Sequence, residues 1–250
     1  MAKQMAVITG AGSGLGQALA VELCARGLLV AGLGRRKEAL NKTAAMAGDS
    51  FTPIVADVSD PIQVRAAFDD IRAVAPVSIL INNAGVYPHC DMLDETPESF
   101  MQTVAINLGG TVACTSEALK DMCDAGRGRI LSVSSFADMH PLPCSAAYSV
   151  SKGAVTTFSR ALVADLGDRL PKIVISTWMP GMLNTKMGLV EGLDPVVAAK
   201  WGASLALWDD PSLNGAVFEM DREILPPRGL KGRLKDAVRL KRHKPRHIPT

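Results

Sequence analysis

The stretch AAYSVSKGA, residues 146–154, holds one of the two tyrosines of a 250-residue chain and sets a lysine four residues after it. Four residues is about one helical turn, so in a helix Tyr148 and Lys152 share a face. A phenol can give or take a proton, but its ordinary pKa of about 10 is far from neutral. An adjacent ammonium favours phenolate and draws that pKa toward the range useful for acid–base work. Val155, Leu162 and Leu166 continue the same face, which turns the pair inward, where a lysine needs polar partners.

Elements must hold those two side chains, and the chain supplies a regular alternation. MAVIT (5–9), LLVAGL (28–33), TPIVA (52–56), SILI (78–81), RILSV (129–133) and IVIST (173–177) are apolar or β-branched runs of strand length. Strands apolar on both faces belong in a parallel sheet covered by helices on each side. After the first run, Leu15, Ala18, Leu19 and Leu23 recur at helical spacing and Arg26-Gly27 closes the helix; similar patterns fill about 36–46, 60–74, 97–125 and 147–168. This βαβ alternation predicts a single-domain α/β fold over 1–227, a Rossmann-like doubly wound sheet, mostly parallel, of about seven strands with helices on both faces.

The first strand runs into TGAGSGLG, residues 9–16. Gly10 permits a tight turn, Gly14 lets the backbone approach a pyrophosphate, and Gly16 allows close helix packing. Ser13 and Leu15 lie between them at a helix start whose unpaired N–H groups and positive dipole end suit phosphates. The second strand ends in GLGRRKE, with no carboxylate to hold a ribose 2′-hydroxyl. Arg35 and Arg36 instead offer guanidinium forks suited to a 2′-phosphate, which favours NADP(H) over NAD. They could also be solvated residues opening a helix. Asp57, followed by Val58, could accept from an adenine amino group or cap a helix.

Taken together, the chain to about residue 220 resembles the short-chain dehydrogenases/reductases. The resemblance rests on Thr9, Gly10, Gly14 and Gly16 in the glycine turn, NNAG at 82–85, Asn107 in INLGGT, a serine thirteen residues before the tyrosine, the Tyr148/Lys152 pair, and PGMLNT at 180–185. The spacing selects Ser135 over Ser134, which would point to the other face of an extended segment. The resemblance implies hydride transfer between NADP(H) and a carbonyl or secondary alcohol, with Tyr148 passing the proton and Lys152 meeting the cofactor's ribose hydroxyls. Ser135 would hydrogen-bond the substrate oxygen, and Asn107, mid-helix, would bind a water linking Lys152 to solvent. Asn82 would serve the sheet; Asn83, Ala84 and Gly85 would pass the adenosine side of the cofactor. Pro180, Gly181 and Thr185 would border the nicotinamide, Thr185 either bonding the carboxamide or only closing a turn.

The chain departs from the family's pattern twice. Only KMGLVEG separates Thr185 from LDPVVAAKWGASLALW, which already reads as a helix, so the short helices that usually cover the substrate are nearly absent. The expected site is open on one side and suits a bulky or carrier-bound substrate, with Tyr87, His89, His140, Cys144 and Met182 as candidate contacts. The chain end departs as well: residues 228–250 carry nine Lys/Arg against one Asp, and Leu230, Leu234, Ala237 and Val238 suggest a partly helical basic tail. That tail could pack on its own body or a neighbouring subunit, or meet an acidic partner, a carrier protein or a membrane surface.

Composition bounds the rest. Five scattered cysteines, odd in number and without a CxxC pair, suggest neither a disulfide framework nor a metal site. No apolar run approaches the roughly 18 to 20 residues of a membrane span. The short lead into the first strand suggests no secretory leader, so a cytoplasmic protein is expected. Nothing points to nucleic acid, and a homodimer or homotetramer through the 97–125 and 147–168 helices is expected. The leading reading is an NADPH-dependent ketone reductase. The alternatives are an NAD-dependent alcohol dehydrogenase of the same fold, or a dinucleotide-sensing or scaffold protein that works through its basic tail.

Overall fold

The six apolar runs become β1 (Met5–Thr9), β2 (Leu29–Gly34), β3 (Phe51–Val55), β4 (Val77–Asn82), β5 (Gly128–Val133) and β6 (Ile173–Met179). The computed structural model describes residues 5–225 and 244–249. Two three-residue strands follow, β7 (Val217–Glu219) and β8 (Arg222–Ile224). One sheet takes the order β3-β2-β1-β4-β5-β6-β7-β8 and is parallel except for the antiparallel β7–β8 pair. The strand beyond the expected seven is therefore β8, too short to announce itself by periodicity.

Successive side chains of a strand face opposite sides, and the inner strands feed two separate apolar layers. Ala6 and Ile8 pack with one side of the sheet, against α1 (Gly14–Ala25), α2 (Lys37–Ala47) and α7 (Pro195–Leu207). Met5 and Val7 pack with the other, against α3 (Pro61–Arg72), α5 (Gly110–Ala125) and α6 (Ala146–Leu166). β3 is the exception among the strands expected to be apolar on both faces. Among the described residues it pairs only with β2, Thr52, Pro53 and Val55 are exposed, and Pro53 sits on an edge strand, where a missing N–H is tolerated.

The helical stretch expected over 97–125 is interrupted. It consists of α4 (Pro97–Val104), a π-helical segment at Ala105–Gly109, and α5. Such a segment holds one residue more per turn than its flanks, an arrangement that recurs at functional sites. Here the surplus falls at buried Asn107.

At the far edge of the sheet the chain end comes back. His247 forms an antiparallel bridge with Arg222, the Glu223 N–H donates to the Arg246 carbonyl at 2.9 Å, and Arg246 Nη2 pairs with Glu223 Oε1 at 2.6 Å. Ile248 is buried in the same layer as α1 and α7. Residues 244–249 are thus part of the folded body, although the sequence groups them with a basic tail. The helical spacing read at 230–238 lies outside the described residues.

Candidate active site

β1 and β4 are neighbours from which the strand order runs outward in both directions, and in open α/β sheets the carboxyl ends at such a point form a crevice for ligands. Two loops meet there. Gly10 has φ +71°, and a Cβ on it would press against the Ala84 backbone and Asn83 Nδ2. A Cβ on Gly16 would sit on the Gly10 carbonyl itself. Thr9 ties the loops together: its Oγ1 accepts from the N–H groups of Asn83 at 3.0 Å and Ala84 at 2.9 Å, while Asn83 Nδ2 donates to the Thr9 carbonyl at 2.9 Å. Exposed Ser13 is the N-cap of α1, with no side-chain bond to the helix, so the first N–H groups of α1 remain open to an acceptor. This Cβ-free cradle before a helix N-terminus fits a dinucleotide's pyrophosphate.

Next to the cradle stand the four residues picked for chemistry. Lys152 is buried on α6, and its Nζ donates to the Val133 carbonyl at 2.8 Å. It lies 5.9 Å from the centroid of the Tyr148 ring, one turn back on the same helix. Ser135 follows the end of β5, half-buried beside the Tyr148 phenol. Ser134 points away, as expected, to bond the Lys152 carbonyl and Thr156. Gly85 joins the two halves: a Cβ on it would approach Asn107 Oδ1 to 3.2 Å and Lys152 Nζ to 3.5 Å.

Asn107 does more than bend its helix. Its Oδ1 accepts from the Val86 N–H at 2.8 Å, and its Nδ2 donates to the Val86 carbonyl at 3.0 Å and to Ser151 Oγ at 2.9 Å. The side chain therefore clamps both backbone groups of the residue just after NNAG. Ser151 was not singled out from sequence, its signal being a serine one place before Lys152; Thr9 was read only as part of the glycine turn, not as the residue that ties that turn to NNAG.

The expected electrostatics are partly reversed. Tyr148 is pushed above its ordinary pKa, chiefly by burial; the Ser135 hydroxyl pulls the other way and Tyr87 adds to the rise. Burial also lowers Lys152 from 10.5 to about 8. Desolvation of both groups outweighs the pull of ammonium on phenol that helix spacing alone suggested, because each is disfavoured in its charged form.

With this arrangement in view, residues 4–192 match the family described as short chain dehydrogenase. The chain belongs to that family. A short-chain type dehydrogenase/reductase of Sinorhizobium fredii is 34% identical over 208 residues, covering 83% of this chain and 78% of the relative. Versicolorin reductase 1 of Aspergillus parasiticus is 35% identical over 191 residues, covering 74% and 72%. A trihydroxynaphthalene reductase of Colletotrichum orbiculare is 33% identical over 189 residues, covering 74% and 66%. Short chain dehydrogenases bind a nicotinamide dinucleotide, in agreement with the cradle.

In this short chain dehydrogenase, at the carboxyl end of β2, Arg35 is 59% exposed and its Nη1 lies 3.8 Å from Asp57 Oδ2. Arg36 is exposed at the N-cap of α2 and makes no capping bond with its side chain. Asp57 caps no helix, since that place on α3 belongs to Asp60. Its Oδ1 instead accepts from the N–H and hydroxyl of Ser59 at 2.9 and 2.7 Å. Val58 is buried against Gly110 of α5, Leu15 is buried in the core, and Pro180 is buried at the end of β6. Gly181 has φ +88° beside Met220.

The loops expected to meet substrate are built differently. The Tyr87 ring stacks on Tyr148 with centroids 4.4 Å apart at 14°, and His89 stacks on Tyr87 at 3.6 Å and 24°. His89, in the loop after β4, and Cys144, in the loop after β5, hold left-handed φ values of 54° and 60° without being glycine. His140 is exposed next to Met139, and Met182 is exposed after Gly181. The segment after Thr185 forms no helix: Leu183 bridges Leu193, and the Leu189 N–H donates to the Leu183 carbonyl at 3.1 Å. The segment curls onto its own stem and leaves Leu189 and Val190 outward. Among the described residues no helix is long and apolar enough to cross a membrane.

Proposed function

We propose that this short chain dehydrogenase is an NADPH-dependent ketone reductase, transferring a hydride between NADP(H) and a carbonyl or secondary alcohol. The observation that carries the reading is the half-buried Tyr148 phenol, its pKa raised by desolvation, beside Ser135 at the mouth of the dinucleotide cradle. When bound, the nicotinamide supplies or accepts the hydride. The chain's own residues then handle charge and proton. Ser135 donates to the substrate oxygen as negative charge grows there. Tyr148 gives that oxygen its proton, and a pKa raised by burial keeps the phenol loaded at neutral pH, which suits reduction. Lys152 as ammonium stabilises the phenolate left behind, and Asn107 holds the loop that sets Gly85 against it.

The choice of NADP(H) is supported by Gly34, which leaves no carboxylate at the end of β2, and by the exposed Arg35 fork, with Arg36 beside it. The contacts proposed for the cofactor are those of the cradle, Asp57, Asn83 to Gly85, and Thr185, whose methyl lies over Gly14. The uncovered 186–193 segment supports a bulky substrate. Self-association through the helices at 97–125 and 147–168 is supported by exposed Met101, Val112 and Val150; a monomer in sedimentation would remove that part.

The test is a screen of carbonyl compounds with NADPH and NADH side by side, repeated with Tyr148→Phe. NADPH is expected to be preferred, and the variant to lose about 100- to 10,000-fold in kcat while still binding dinucleotide. Equal use of both cofactors removes the arginine argument. An undiminished variant removes the assignment of Tyr148.

A further inference from the structure

Both tyrosines of the chain are in one stack. His89, Tyr87 and Tyr148 form a continuous pile of near-parallel rings that starts at the proposed proton donor and ends at an exposed imidazole. The pile is held from below, because Asn107 grips both backbone groups of Val86, the residue before Tyr87. His89 adopts a left-handed backbone that a non-glycine residue enters at a cost, and such outliers cluster at functional sites. Around this wall, the loops leaving the carboxyl ends of β4, β5 and β6 expose Met92, Met139, Met182 and Met187. Thioethers adapt to irregular apolar shapes and make favourable contacts with ring edges.

We infer that the substrate is a flat, fused-ring aromatic ketone, received by the Tyr87–His89 wall and the methionine rim, with Tyr87 determining the preference. The inference rests on the reductase reading and narrows it. A substrate whose carbonyl meets Tyr148 must lay its remaining atoms along this wall. Aromatic atoms gain an offset or edge contact there that saturated ones do not, enough to shift affinity by up to about tenfold per ring pair.

Two pairs of probes of equal carbon skeleton test it. In turnover, 2-tetralone should exceed 2-decalone by about tenfold in kcat/KM, mostly through KM. Tyr87→Leu should bring that ratio close to one, and Tyr87→Phe, which keeps the ring, should retain it. In binding to the cofactor-loaded protein, 2-naphthol should outcompete decahydro-2-naphthol by a similar factor, again only while residue 87 is aromatic. Equal binding of the two alcohols, or a preference untouched by Tyr87→Leu, overturns the inference. Failure to reduce any carbonyl while 2-naphthol still binds selectively would sink the reductase reading and leave the aromatic subsite standing.

Discussion

The glycine turn after β1 with the NNAG start of the loop after β4, and the loops after β5 and β6, border one site, yet they are made in opposite ways. In the first pair the fit is backbone to backbone: Gly16 against the Gly10 carbonyl, Gly10 against Ala84, and Thr9 holding two N–H groups of NNAG. In the second pair the surface is made of side chains, several large and exposed: the loop after β6 curls onto itself, and the loop after β5 holds Cys144 in a left-handed conformation. A backbone fit tolerates no added atom, whereas a side-chain surface can change its residues and keep its shape. The half proposed to bind dinucleotide should therefore be brittle to substitution, and the half proposed to meet substrate should be permissive.

The largest effect that would break this contrast is at Gly16. Gly16→Ala forces a Cβ into a backbone oxygen, an overpacking worth about 1 to 3 kcal/mol that falls on the cradle. Dinucleotide affinity, read by titration, should drop by about 10- to 100-fold, and unchanged affinity would mean the cradle yields as easily as the rim. Lys152, between the halves, sharpens the comparison. Its folded pKa of about 8 lies below the ordinary 10.5, so the unfolded chain holds that proton more tightly. The penalty is then fully present below pH 8 and is relieved as pH rises toward 10.5. Lys152→Met should end turnover yet stabilise the cofactor-free protein at pH 7 by about 2 kcal/mol, after allowing for the lost bond to Val133. Thermal melts at pH 7 and pH 10.5 check it, the gain shrinking at the higher pH. The smallest effect is expected at Val190, 88% exposed, where Val190→Ser should alter stability by less than about 0.5 kcal/mol in denaturant melts.

What the chain's letters disclosed follows the same division. Strand runs, helix faces and the glycine turn were legible because backbone geometry and periodicity constrain residue type directly. Tyr148 and Lys152 were legible as a pair, but the direction of their pKa shifts was not, because four-residue spacing says nothing of burial. The break at Ala105–Gly109 could not be read from INLGGT, since it depends on where Val86 lies, some twenty residues earlier in the chain. Ile248 gave no sign of returning to the core, being one apolar residue among prolines and basic side chains. The Tyr87 stack, likewise, joins residues 61 apart with no local pattern linking them.

The π-helical segment has a consequence for how this site can be altered. A regular α-helix turns about 100° per residue, so the surplus residue at 105–109 fixes the angle at which α5 meets the sheet relative to α4. Deleting one residue there would restore an ideal helix and, in doing so, swing either Asn107 off Val86 or the Cys114, Ala118 and Met122 face of α5 off its core. Local regularity and global fit cannot both be had at this point. The irregular turn is a phase correction between two helices, and one buried amide occupies the gap it opens.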